Sequence, residues 1–350
     1  LPGFTFYSVS HIRPAGLDIQ RFFIQNLNLL MQGLILNGSK NVFEVECEDG
    51  ITRDCPIKGK ILKESDGYYN PIAPGDIVTL DDETLEEFKG QITGLVPRKN
   101  EFVRFNIKKR QPQLLAANLD YLLIVTTPDE PPFRPRFIDR ALAQAEYQNI
   151  TPVIVCNKYD LPAAKDEDFQ TRLSIWEDIG YKVIRSSART REGMEELANL
   201  IENHLSALVG QSGVGKSSLI NVLDNNVVLK TGSLSQKYGR GIHTTTKGSL
   251  MNIQLDEALM GGRKGACANI IDTPGVRRFI LHDISADNLA LYFRDFKEHL
   301  GKCAFGMSCS HLTEKGCAIK QAVEEGTISA QRYDSWKRIS DELKNGSWED

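Results

Sequence analysis

The chain has 350 residues and a formal net charge of −4 at pH 7. That length allows two or three domains, and the charge excludes a global attraction to nucleic acid, leaving local basic patches or partner shape. No apolar run approaches the ~20 residues that cross a bilayer. Its 7 cysteines, three of them beside a histidine near the C-terminus, point to a metal site in a reducing, cytoplasmic compartment rather than a disulfide framework.

Residues 1–30 lack the charged start and clean apolar core of a signal peptide. Met31 opens the strand-like run "MQGLILNG" and is expected to be the functional start, with 1–30 as an extension. From 31 to 112 the chain reads as short strands with turn punctuation: "QGLILNG", "NVFEVECEDG", "ITRDCPIKGKIL", "GDIVTL" and "KGQITGLVPRKN". About five strands at such spacing predict a small closed β-barrel, an OB-fold. The barrel's end, "VPRKNEFVRFNIKKR", sets Arg98, Lys99, Arg104, Lys108, Lys109 and Arg110 among Phe102 and Phe105. That mixture offers phosphate contacts plus base stacking.

From Gln113 the rhythm changes to alternating strands and helices, an α/β domain expected over 113–283. "LDYLLIVTT", "PVIVCNK", "KVIRSSA", "HLSALVG", "SLMNIQL" and "CANIIDT" read as strands. "FIDRALAQAEYQN", apolar at 137, 138, 141, 142 and 145, reads as an amphipathic helix, as do "DFQTRLSIWEDIG" and "EGMEELANLIEN". Beyond it, 284–350 is expected to be a small helical zinc-binding domain, with helices over "SADNLALYFRDFKEHL", "CAIKQAVEEG" and "SAQRYDSWKRISDELKN".

Between a strand and a helix stands Gly210-Gln211-Ser212-Gly213-Val214-Gly215-Lys216-Ser217, followed by Ser218. It matches the P-loop pattern, whose glycines let successive N–H groups face phosphate oxygens. Lys216 is expected on the β- and γ-phosphates, and the Ser217 hydroxyl on Mg²⁺. Downstream, "NIIDTPG" places Asp272 at a strand end, where its carboxylate can hold Mg²⁺, and Gly275, whose N–H can meet a γ-phosphate. "KYGRGIHTTTKG" lies between them as the switch; one of Thr244, Thr245 and Thr246 is expected to complete the Mg²⁺ shell, and Thr245 stands as the candidate.

"NKYD" selects the base. Asp160 can accept from the N1–H and N2 amino group of guanine, a donor pair adenine lacks. Asn157 is expected to brace the loops, Lys158 to cover the base, and "SSA" to aim the Ala188 N–H, beside Ser187, at the guanine carbonyl. Together these residues make GTP and GDP the ligands. The order is base-reading, phosphate, switch, then Mg²⁺ carboxylate, a circular permutation of the usual GTPase arrangement that neighbouring termini permit.

With these motifs in this order, together with "GLVPRKNEFVR", "QPQLLAANLDYLLIV", "FIDRALAQAE" and "GRGIHTTT", residues 31–336 resemble the RsgA (YjeQ) family of circularly permuted GTPases. The resemblance implies an OB domain, a permuted GTPase centre, a zinc domain, and action in late maturation of the small ribosomal subunit, on its rRNA, with subunit-stimulated turnover. Val276 follows Asp-Thr-Pro-Gly where many GTPases carry a water-orienting glutamine, and the resemblance suggests His243 as the substitute. Cys303, Cys309, His311 and Cys317 form C-x5-C-x-H-x5-C, a donor set for one structural Zn²⁺. A monomer with no membrane partner is expected.

Overall fold

The structure, a computed structural model, describes residues 30–39, 41–59, 67–68, 70–106, 109–227, 229, 248–273 and 279–347. The expectations placed on 1–29, Lys108, His243, Thr244, Thr245, Thr246, Gly275 and Val276 lie outside those residues.

Strands β1 (Gln32–Ser39), β2 (Val42–Cys47), β3 (Thr52–Pro56), β4 (Ile77–Leu80) and β5 (Ile92–Leu95) form an antiparallel sheet in the order β3-β2-β1-β4-β5. Alternate residues of β2 and β3 are buried, the period-2 signature of a sheet with one wet face. Parallel bridges Asp54–Lys89 and Ile57–Ile92 join the two edges, so the sheet closes around Ile35, Phe43, Val45, Val78 and Leu80.

A hairpin of β6 (Glu101–Asn106) and β7 (Gln111–Ala117) leads onward. It corrects the reading of the basic segment as a stacking surface at Phe102 and Arg98, while Lys99, Lys109 and Arg110 stay exposed and Phe105 half-buried. Phe102 is fully buried and stacks on Phe279 at 5.6 Å between ring centres. Arg98 turns inward, its Nε 2.7 Å from the fully buried Asp76, Lys99 pairs with Asp120, and Arg104 bonds Gln113. Apolar rings and paired guanidinium groups were better placed under the hairpin than in water.

The second sheet holds β8 (Tyr121–Thr126), β9 (Thr151–Cys156), β10 (Lys182–Arg185), β11 (Leu205–Gly210), β12 (Ser249–Gln254) and β13 (Cys267–Asp272) in the order β10-β9-β8-β11-β13-β12. Only β12 pairs antiparallel. The mostly apolar, buried runs of β8, β9 and β11 suit strands covered on both faces. Helices α1 (Pro135–Tyr147) and α2 (Glu167–Asp178) pack in one core, α3 (Met194–Ile201) and α4 (Lys216–Leu223) in another, a doubly wound arrangement. The periodic positions 137, 138, 141, 142 and 145 of α1 are all buried.

At the C-terminal end, α5 (Ala318–Glu324) and α6 (Ala330–Asn345) form as the pattern predicts, but the helix expected from 285 does not. Two 3₁₀ turns, Leu289–Tyr292 and Arg294–His299, stand in its place, separated by an extended Phe293. Phe293 is drawn into the core beneath the Arg332 guanidinium, 4.3 Å above its ring, and tertiary packing overrides the local period.

Candidate functional site

Strands β9, β10, β11 and β13 run parallel, so their carboxyl ends share one edge of the sheet, where open α/β folds bind ligands. The motif residues follow those four ends.

β11 ends at Gly210 and α4 begins at Lys216. Gly213 and Gly215 adopt φ of +92° and +94°, and a Cβ on Gly215 would lie 2.3 Å from Asn157 Nδ2. Only glycine fits there. Val214 is buried and anchors the loop, while Ser212 stays exposed and Ser217 and Ser218 are half-buried on the first turn of α4. The Lys216 ammonium donates to the carbonyls of Gly210 at 3.1 Å and Gln211 at 3.3 Å.

Lys216 and Asp272 lie close enough to feel each other's charge. Burial lowers the lysine's pKa and the aspartate's charge opposes that; burial raises the Asp272 pKa and the lysine opposes it. Asp272 Oδ1 and Gln211 Nε2 are buried without a hydrogen-bond partner among the described residues. A dry carboxylate oxygen with no donor, together with the half-buried Ser217 hydroxyl on the first turn of α4, makes oxygen donors of the kind Mg²⁺ takes. The next residue, Thr273, donates its hydroxyl to Leu208 O at 2.5 Å and pins the turn to β11.

The Asn-Lys-Tyr-Asp segment after β9 meets this loop directly. Asn157, 1% exposed, donates from Nδ2 to Val214 O at 2.8 Å and accepts at Oδ1 from Ala188 N at 3.1 Å. One side chain thus joins the loops after β9, β10 and β11. Lys158 sends its ammonium to the Glu130 carbonyl, across the loop after β8. Asp160 receives the Ser187 hydroxyl at 2.5 Å, and that oxygen accepts from Arg189 N and Thr190 N. The second Asp160 oxygen lies 3.2 Å from Arg189 Nε. Arg189 escaped the sequence reading, although it directly follows Ala188; a surface arginine there has no spacing rule to mark it.

A second cluster lies in the C-terminal unit. The ligand atoms of Cys303, Cys309, His311 and Cys317 all fall within 4.8 Å of one another, and all four residues are buried. His311 Nδ1 is 3.5 Å from both Cys303 and Cys317 Sγ, and those sulfurs are 3.9 Å apart. A zinc tetrahedron with ordinary bond lengths has N···S edges of about 3.6 Å and S···S edges of about 3.8 Å. The three edges among Cys303, His311 and Cys317 match those lengths, and Cys309 Sγ lies within 4.8 Å of the other three ligand atoms. Tyr333 Oη donates to His311 O at 2.7 Å, and the Cys317 sulfur accepts from Lys320 N at the start of α5, so the cluster ties both helices together.

Comparisons with known proteins agree with this geometry. A family model described as RsgA GTPase matches residues 95–282. The small ribosomal subunit biogenesis GTPase RsgA of Borreliella burgdorferi is 35% identical over 313 residues, spanning 89% of this chain and 96% of that one. Among solved structures, YjeQ from Thermotoga maritima superposes with a TM-score of 0.68 at 29% identity, covering 90% of this chain and 99% of its own. YloQ, titled a circularly permuted GTPase, gives a TM-score of 0.65 over 94% of this chain and 100% of its own; at 23% identity it speaks for the fold alone.

Proposed function

The chain belongs to the RsgA family of GTPases, and from that premise we propose a ribosome-associated enzyme that hydrolyses GTP to GDP and phosphate in late maturation of the small ribosomal subunit. The observation that carries the reading is Asn157, whose amide hydrogen-bonds the phosphate loop at one end and the Ala188 loop at the other. A single nucleotide then spans Asp160 and Lys216, guanine at the first and phosphates at the second.

In this assignment Asp160 reads the guanine N1–H and amino group, with Ser187 fixing its carboxylate. Ala188 N–H faces the base carbonyl, and the Lys158 stem covers the ring. The backbone from Gly210 to Ser218 cradles the phosphates, and Lys216 leaves its carbonyl partners for the β- and γ-oxygens. Ser217, Thr245 and Asp272 would hold Mg²⁺, which would supply positive charge to the phosphate site. Gly275 N–H meets the γ-phosphate. Water attacks in line with the leaving oxygen, and because Val276 cannot orient it, His243 takes that role.

The domain scheme rests on the same reading. Residues 31–112 form an OB-fold, supported by the closed five-strand sheet; 113–283 form the permuted GTPase unit; 284–350 form a helical domain held by one structural zinc on Cys303, Cys309, His311 and Cys317, supported by four buried ligand atoms within 4.8 Å of one another. The partner is the small subunit and its rRNA. The enzyme works as a monomer in the cytoplasm, where reduced thiols persist; no helix among the described residues is long and apolar enough to cross a membrane.

Turnover measured with and without purified small subunits tests the proposal. Subunits are expected to raise the rate by an order of magnitude or more, and His243→Ala to lose that gain while binding GTP normally. Unchanged turnover on adding subunits would favour a GTP-sensing RNA-binding module instead.

A further inference from the structure

A cavity of about 430 Å³ opens where the loop after β8, the start of α2 and the start of α6 meet. Pro128, Phe133 and Phe169 give it apolar walls, the two rings edge to face at 4.7 Å. Arg172, also in its lining, is 9% exposed. Its Nη1 has no acceptor, and among the described residues its guanidinium makes no hydrogen bond and no ion pair. The group lies 5.8 Å above the Trp176 ring; Asp139, whose charge reaches it, is engaged at Oδ1 by Trp176 and Arg332, and its Oδ2 makes no hydrogen bond to Arg172 or to any other described residue. Asp139 and Asp334 attract Arg172 from a distance while Arg332 repels it, and burial disfavours its charge.

A guanidinium brings five donors into whatever space it occupies, and burying them unpaired is unfavourable. An apolar side chain would fill the same place on α2 without that penalty, so the donors call for an acceptor from outside. We propose that this cavity docks a carboxylate side chain of a partner protein, with Arg172 as its anchor.

The surroundings choose a carboxylate over a phosphate backbone. Asp166 and Asp168, both exposed, share the lining, and Glu167 stands between them. They repel a polyanion at the entrance. A single carboxylate on a short apolar stem, flanked by basic residues, meets the rings on its methylenes, the guanidinium on its oxygens and the acidic rim on its neighbours. The loop forming one wall contains Glu130, whose carbonyl holds Lys158, so an occupant would lean on the base-reading side of the nucleotide site.

The experiment uses the full chain without nucleotide, so its failure leaves the GTPase reading standing. The indole N–H signal of Trp176 is followed by NMR as an acetylated pentapeptide is added, with one glutamate between two leucines and a lysine at each end. A saturable shift is expected, about tenfold weaker or more with glutamine in place of the glutamate. It should vanish in Arg172→Met, and that variant should melt no lower than the parent, since it loses an unpaired buried charge. Equal affinity for the two peptides, no saturable shift, undiminished binding by Arg172→Met, or tighter binding of a short oligouridylate would each overturn the assignment. Should Arg172→Met fail to fold, the glutamate–glutamine pair on the parent chain decides alone.

Discussion

At the scale of single residues, the motif side chains were legible because each has a chemical reason to sit where it does. Asn157 needs both a donor and an acceptor end, and uses both. Arg172 and Arg189 were not legible, because a lone arginine in a sequence says only that it is charged. Asp272 gives the sharpest test at this scale. Burial raises its pKa above that of an unfolded aspartate, so between the two values the folded chain holds more protons than the unfolded one. Stability therefore falls as pH rises through that window. Above it, an ionised carboxylate with a partnerless buried oxygen is a standing penalty of about 1–3 kcal/mol, relieved in part by Lys216. Asp272→Asn removes the charge. The nucleotide-free variant is expected to melt a few degrees above the parent at neutral pH, with the difference closing toward about pH 4. Its GTP turnover should drop by about 100-fold. Thermal melts across that pH range check the first part; a variant no more stable than the parent at neutral pH would mean that Asp272 is not a penalty.

At the scale of elements, strands and the long amphipathic helices followed from period alone, whereas the turns around Phe293 did not. Local sequence favoured a helix there, but Phe293 and Phe296 pack on each other and toward Trp336, and the backbone yields to that packing. The Cys/His cluster works at the same scale. It holds a segment with few regular elements, caps α5 through the Cys317 sulfur, and meets α6 through Tyr333. In so small a helical unit, an ion held by the cluster would supply a large part of what folds it. Purified protein is expected to carry one zinc per chain by elemental analysis. Cys309→Ser should lose most of it and lower the melting of the C-terminal helices by ~10 °C, about 2 kcal/mol for a unit of this size. Full zinc occupancy in Cys309→Ser would remove that residue from the ligand set.

At the scale of the whole molecule, the permuted order of motifs was readable, since four carboxyl strand ends on one sheet edge can be visited in any sequence. The contacts that bind the parts were not, because no pattern links residues some two hundred positions apart. Phe279, soon after the Asp-Thr-Pro-Gly motif, stacks on Phe102 of the hairpin and meets Phe137 of α1, while Ile280 O accepts from Phe105 N. The chain at Phe279 and Ile280 is thus clamped between the hairpin and α1. α1 is in turn fastened to α6 by buried charge: Arg140 holds Glu342 with both its Nε and Nη2, and Arg332, 1% exposed, pairs with Asp139 of α1 and with Asp295. Removing one member of such a buried set leaves its partners charged and dry, at a cost of about 3–5 kcal/mol. Arg332→Met should therefore loosen α6 on α1, with the Arg140–Glu342 pair as the remaining tie, and leave the nucleotide edge, which it does not touch, intact. Hydrogen exchange is expected to rise in α6 while GTP affinity stays within about twofold, and stimulation by small subunits should collapse, since the C-terminal unit would no longer hold a fixed position against the GTPase sheet. If Arg332→Met keeps full stimulation with α6 exchanging freely, the buried charges secure the fold alone and carry nothing between the two halves.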